Sequence, residues 1–311
     1  MRMGKGFVAG IDNTNVDLLF VGMPRVPSEG EELFAKDFSL QLGGGAPGTL
    51  IGLSRLGIET KIGTKLGTDI FSEFAKSKFK EAGVIPLNLY HGDKIPLNIT
   101  CAAITESDRT FISYGQSAFE ADSGMLDTIY NEFKGAKFAL MHTGNFLPLY
   151  KKLKSGGTVL VLDTGWDDDL SFENYHDYLE LADYYTPNLK EALKITGENT
   201  AEDAAWKLNK YFDKVIIKLD KDGCLLYENG AFKTIKSIEE FKLKDSTGAG
   251  DAFLAGLVYG LFYDYPLDQS VLFGNITGGK SVTGVGCLTE YVNEPELLAL
   301  AEKYKNLIKG N

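Results

Sequence analysis

Three short runs, KFALMH (137–142), TVLVLD (158–163) and KVIIKL (214–219), show no regular alternation of polar and apolar residues. A strand with one face in water alternates; a strand without alternation is buried on both faces, as in a parallel sheet covered by helices. Segments 188–197 and 200–212 carry helical spacing between such runs. The pattern predicts βαβ units and therefore a doubly wound, mostly parallel central sheet flanked by helices. Residues 18–42 and 87–116 read differently, as strand-rich stretches with Pro, Gly and Asp at the turns. They are expected to form a small separate sheet, lid-like, on a single domain spanning 1–311.

The 311 residues carry 43 acidic against 32 basic side chains, a formal net charge of −11, which argues against a nucleic-acid surface. Cys101, Cys224 and Cys287 stand far apart, as do His91, His142 and His176, so neither a disulfide framework nor a zinc motif is expected. No apolar run approaches 18 residues, and residues 1–10 lack a charged-then-apolar leader. A cytoplasmic protein, not membrane-bound, is the expectation.

The stretch KDSTGAGDAFLAGLVYGLF (244–262) puts two glycines where an apolar helix should begin, with Asp251 immediately after them. The first N–H groups of a helix have no intrahelical partner, and the helix dipole adds partial positive charge there. Thr247-Gly248-Ala249-Gly250 would let an anion approach those groups closely. Asp251 could then take the proton of a hydroxyl attacking a phosphoryl group held by them. A glycine-rich strand-to-helix turn without chemistry gives the same letters.

DSTGAGDAFLAG (245–256) resembles the signature of the ribokinase-like (PfkB) carbohydrate kinases. GGGAPGTLIGLSRLG (43–57), NVD (15–17), GTKLGTDIFSEF (63–74), DRTFI (108–112) and TPNLKEALKITG (186–197) resemble further family motifs, in order along the chain. The resemblance implies ATP and Mg²⁺ as cofactors, with Asp251 as base and the backbone of Gly248, Ala249 and Gly250 as anion hole. It places Asn15, Asp17, Gly43, Gly44, Gly45 and Gly48 on the sugar. Asn188, Lys218, Asp220, Gly223, Gly250 and Asn275 fall to the nucleotide, and Asn188 with Glu191 to Mg²⁺ through water. It also implies a lid that closes over the sugar and mediates homodimer contacts, and a monovalent cation, K⁺, near Asp245 and the 284–286 segment.

The residues themselves leave several of these roles open. Asn188 and Glu191 are also spaced as a helix capping box. Lys218 could simply reach solvent from the end of a strand, Asp17 could be a turn residue, and Asn275 a helix surface residue. Gly48 stands where the family often has asparagine, and Asp220 where it has glycine. The aspartates of DTGWDDDL (163–170) would repel a phosphorylated sugar if they faced the site, or form a solvated loop if not. A nucleoside kinase of the same family and a non-catalytic sugar- or nucleotide-binding protein remain as alternatives. A Rossmann dehydrogenase fails, because AGIDNTNVD (9–17) contains no GxGxxG. GNITGGKS (274–281) fits the P-loop pattern by letter, but helical spacing from Leu267 to Gly279 places it inside a helix, where a P-loop cannot form.

Overall fold

A computed structural model describes residues 6–115, 119 and 121–308. The chain runs through β1 (Val8–Ile11), β2 (Asn15–Val21), β3 (Asp37–Leu42), α1 (Ala46–Arg55), β4 (Thr60–Thr64), α2 (Ile70–Ala82) and β5 (Val84–Asn88). It continues through β6 (Asn98–Ile104), β7 (Arg109–Tyr114), α3 (Ser123–Phe133), β8 (Phe138–Met141), α4 (Leu147–Ser155), β9 (Val159–Leu162) and α5 (Phe172–Leu181). The last part comprises β10 (Tyr184–Tyr185), α6 (Leu189–Thr196), α7 (Ala201–Leu208), β11 (Lys214–Lys218), β12 (Cys224–Glu228), β13 (Ala231–Ile235), α8 (Ala249–Phe262), α9 (Leu267–Ser281) and α10 (Glu294–Lys303).

Six parallel strands in the order β10-β9-β8-β1-β4-β5 form the central sheet. Phe138 and Leu140 of β8 feed one core with α1, α2, α8 and α9; Ala139 and Met141 feed the other, with α3 to α7. Both faces are therefore apolar, which is why the sequence of this strand does not alternate.

KVIIKL is a correction to the parallel assignment. β11 pairs antiparallel with β12, and β12 with β13, in a separate three-stranded sheet. Among the described residues its parallel contact is the single bridge between Lys218 and Asn188. The turn Leu219–Gly223, with Asp220 at φ 51° and Gly223 at φ 97°, sends the chain back on itself. An antiparallel strand with both faces covered reads like a parallel one.

The small sheet has the order β3-β2-β6-β7, with β2 parallel to β6 and the other pairs antiparallel. Its bounds differ from the sequence reading: β2 starts at Asn15, and Leu87 and Asn88 belong to β5 in the central sheet. Gln116, at the end of the second stretch, lies outside the described residues.

α8 meets the central sheet through Phe262, whose ring lies 6.3 Å from that of Phe138. It is buried along most of its length between α1 and α9. A Cβ on Gly256 would come within 2.4 Å of the Phe273 carbonyl oxygen, and one on Gly260 within 2.6 Å of Ser270 Cα. Small residues thus let α8 and α9 pack backbone to backbone. The P-loop-like GNITGGKS lies within α9, with no strand before it, and Lys280 pairs with Glu290 at 2.8 Å.

Candidate active site

The carboxyl ends of central strands release polar residues on one edge, where open α/β sheets bind ligands. Asp12 follows β1, Asp163 follows β9, and Asn188 follows β10 closely; Lys218 ends β11 beside Asn188. The N-termini of α1 and α8 join this edge.

Gly248 is the N-cap of α8 with φ 74°, and a Cβ there would meet Cys287 Cβ at 2.2 Å. Only glycine combines that left-handed backbone with so close a neighbour. The Ala249 N–H is spent on the Ser246 carbonyl at 3.2 Å, so this member of the expected donor set is engaged within its own turn. Gly248 and Gly250 donate to no backbone carbonyl among the described residues.

Asp251, in the first turn of α8, accepts a hydrogen bond from the Gly45 N–H at 2.9 Å. Gly45 is the N-cap of α1, so two helix N-termini converge on one carboxylate. A Cβ on Gly44 would stand 2.2 Å from Asp251 Oδ2, so any other residue there would displace the carboxylate. Burial pushes the Asp251 carboxyl up to about 7, with Asp163 and Asp12 adding to the rise, and the Gly45 N–H and Lys218 opposing it. A carboxylate poised near neutrality suits proton abstraction. Gly48 lies beside it, with room for a Cβ at 3.5 Å from Asp251 Cβ.

Lys218 is largely covered rather than extended into solvent. Its ammonium sits 2.9 Å from Asp163, 12% exposed, and a Cβ on Gly250 would be 3.4 Å from Nζ. Burial disfavours its charge, but Asp163 and Glu191 outweigh this and hold its pKa above the usual lysine value. The start of α8 therefore has a fixed positive charge at hand.

Asn188 and Glu191 form the capping box. Glu191 N–H donates to Asn188 Oδ1 at 3.0 Å, and Asn188 N–H and Nδ2 donate to the Glu191 carboxylate at 2.8 and 2.7 Å. Burial pushes the Glu191 carboxyl up, against the pull of Lys218. Asn275 is buried, not a surface residue, and its Nδ2 donates to the carbonyls of Ile235 and Lys236 at 3.0 and 3.1 Å. Gly223 packs against the same Ile235 carbonyl, 2.1 Å from where its Cβ would be, while Asp220 is exposed in the turn before it.

The other half of the edge has fewer internal partners. Asn15 Oδ1 is buried without a hydrogen bond among the described residues. Burial alone pushes the Asp17 carboxyl up to about 6. Both face Gly43, whose Cβ would lie 2.7 Å from Asn15 Cβ and 3.1 Å from Asp17 Oδ2.

Asp12 and His142 did not stand out from the sequence. Asp12 Oδ2 accepts from the Ala46 N–H at 3.0 Å, one residue beyond the Gly45–Asp251 contact, and Oδ1 lies 3.4 Å from His142 Nδ1. Burial raises the Asp12 carboxyl and lowers the His142 imidazole, so each is pushed towards its neutral form. The available signal was position: Asp12 is the first residue after a fully buried strand. The acidic run after β9 divides. Asp163 turns to Lys218, whereas Asp167 takes the Tyr175 hydroxyl and Asp168 the Trp166 indole N–H, in a largely exposed loop.

Among the described residues no cluster of three His, Cys, Asp or Glu side chains could cage a metal, and no helix is long and apolar enough to cross a membrane. Mg²⁺ commonly binds through one or two carboxylates, water and substrate phosphates. Both Glu191 oxygens accept from Asn188 and Asp163 Oδ2 faces Lys218, so contact of these carboxylates with Mg²⁺ would run through water.

Residues 7–293 match the model of the pfkB family carbohydrate kinases. The ribokinase of Lactococcus lactis is 24% identical over 308 residues, covering 96% of this chain and 97% of its own. A 5-dehydro-2-deoxygluconokinase of Clostridium perfringens is 26% identical over 283 residues, 81% of either chain. Among solved structures, Arabidopsis thaliana ribokinase complexed with ribose and ATP superposes with a TM-score of 0.80 at 20% identity, covering 98% of this chain and 99% of that one. A Methanocaldococcus jannaschii nucleoside kinase gives 0.72 at 20% identity, over 96% and 99%. With a family match over nearly its whole length, a ribokinase-like fold and sugar kinases among its relatives, the chain belongs to the pfkB family of carbohydrate kinases and is a sugar kinase.

Proposed function

We propose that the protein transfers the γ-phosphoryl group of ATP to a hydroxyl of a small, neutral or cationic sugar or sugar derivative. The observation that carries this reading is the Asp251 carboxylate, raised to about 7 and held by the Gly45 N–H between two helix N-termini. The acceptor lies over Asn15, Asp17 and the Gly43–Gly45 turn, where unmet polar groups await partners. Its hydroxyl oxygen bonds to the γ-phosphorus, the bond to the β–γ bridging oxygen breaks, and the hydroxyl proton passes to Asp251. ADP leaves with the bridging oxygen. The N–H groups of Gly248 and Gly250 and the Lys218 ammonium take up charge on the phosphoryl oxygens. Mg²⁺, when bound with ATP beside Asp163 and Glu191, neutralises phosphate charge. The small sheet serves as the lid that excludes water. Exposed Phe38, Phe111 and Ile112 on it suit a homodimer contact.

Asp17 and Asp251, in their ionised forms, lie against the 43–45 turn and disfavour a phosphorylated acceptor. Phe119 and Phe146, beside the Asp12–His142 pair, are buried against each other and offer no open face for stacking a nucleobase. The test is ADP release from Mg-ATP across free sugars, sugar acids, amino sugars, sugar phosphates and nucleosides, with Asp251→Asn as background. Stimulation by one neutral or cationic sugar, reduced about 10²–10⁴-fold in the variant, is expected. Preference for a sugar phosphate or nucleoside contradicts the acceptor assignment; turnover undiminished in the variant contradicts the base.

A further inference from the structure

The loop before α8 is closed by a residue that comes from the small sheet. Arg109, at the start of edge strand β7, donates from Nη1 to Asp245 Oδ1 at 2.7 Å and to the Thr247 hydroxyl. Asp245 Oδ1 also accepts the Thr247 N–H at 3.0 Å and its hydroxyl at 2.7 Å, and Oδ2 accepts the Gly286 N–H at 2.8 Å. Burial opposes charge on Asp245, but these donors and the guanidinium hold its carboxyl below the usual range. The neighbouring segment is gripped by the same sheet: Gln41 Nε2 of β3 donates to the Val285 carbonyl at 3.2 Å, and Cys287 Sγ to the Leu42 carbonyl at 3.0 Å. Cys287 in turn packs against Gly248, the N-cap of α8.

A monovalent cation at Asp245, as the resemblance implies, needs oxygen lone pairs turned towards it. Here the carboxylate, 10% exposed, is occupied by two N–H groups, a hydroxyl and a guanidinium, and the Thr247 oxygen also faces the guanidinium. A free cation does not fit that arrangement. We propose that Arg109 is a positioning residue that supplies the positive charge itself, making the start of α8 independent of a monovalent cation and dependent on docking of the small sheet. An arginine keeps its charge at any physiological pH and brings several donors to one carboxylate. When the sheet withdraws, charge and tether leave together; when it docks, the Asp245–Gly248 turn is fixed. This rests on the reading of the α8 N-terminus as the phosphoryl site.

The test compares melting temperatures in KCl and in tetramethylammonium chloride at equal ionic strength, with Mg-ADP present. The wild type is expected to show no K⁺-specific shift. Arg109→Met should gain one of about 2 °C or more, because an ion now enters the vacated place. Arg109→Lys, which keeps a charge there and disturbs packing less, should stay indifferent to K⁺ and covers the case in which the methionine variant does not fold. A K⁺-specific shift in the wild type or in Arg109→Lys, or none in a folded Arg109→Met, would overturn the proposal. Neither comparison needs an acceptor, so failure of the kinase reading, seen as turnover undiminished in Asp251→Asn, is a separate result. In turnover, Arg109→Met should lose about tenfold or more in kcat and recover part of it with K⁺ but not with tetramethylammonium. A merely structural role would show no such cation selectivity.

Discussion

The two halves of the site are built on opposite terms. On the side we propose for the nucleotide, Asn188 and Glu191 satisfy each other, Asn275 is spent on two backbone carbonyls, and Lys218 is matched by Asp163. On the side we propose for the acceptor, Asn15 Oδ1 has no partner among the described residues and Asp17 is raised by burial that nothing offsets. A half that is complete without ligand contributes stability as well as binding. A half with open valences carries a cost in the free protein that a polyol, rich in hydroxyl groups, can relieve.

Substitutions on the two sides should therefore move stability in opposite directions. Lys218→Met is expected to have the largest effect, because it removes the charge beside Gly250 and strands Asp163. Turnover should fall about 10²–10³-fold, and stability on the order of 3 kcal/mol, measured by steady-state kinetics and urea melts. A stable, active Lys218→Met would place the phosphoryl group elsewhere.

Asp17→Asn sharpens the contrast. It should cost about 10–100-fold in kcat/KM for the acceptor, the worth of hydrogen bonds to a charged group, with KM for ATP nearly unchanged. Its folded pKa, about 6, lies above the unfolded value of about 3.9. The wild type therefore binds more protons when folded. Stability from this group is full below about pH 4 and is lost as pH rises through about 6. The variant escapes that loss and should be more stable than wild type by about 1 kcal/mol at pH 8, with the gain gone at pH 4. A destabilised Asp17→Asn at pH 8 would erase the difference between the halves. Asn188→Ala should do the reverse, losing about 1 kcal/mol of stability with its cap.

The smallest effect is expected of Lys280→Ala. Its ammonium pairs with Glu290 from the last turn of α9, and an exposed pair of this kind is worth about 0–1 kcal/mol. Activity should stay within about twofold. Abolished turnover in a folded variant would revive the P-loop pattern.

What the sequence discloses follows the same division. KFALMH and TVLVLD could be read as central strands because burial on both faces removes alternation, but KVIIKL shares that burial and pairs antiparallel. The Asp-Gly pair ending its turn was the available sign of a hairpin. Asn188–Glu191 was readable as a capping box because its spacing is local. Asn275 and Lys218 were not readable as buried, since their partners lie 40 and 55 residues away. Asp12 and the Arg109–Asp245 contact depend on long-range closure, 136 residues in the latter case, and no periodicity reports that.

The pH dependence of kcat/KM for the best acceptor tests Asp251 most directly. The account predicts a rising limb with a midpoint near 7, as the carboxyl loses its proton in the free enzyme, and a plateau above it. In Asp251→Asn the residual rate should lose that limb. A wild-type profile flat from about pH 5 to 9, or the same limb retained in Asp251→Asn, would contradict Asp251 as the base.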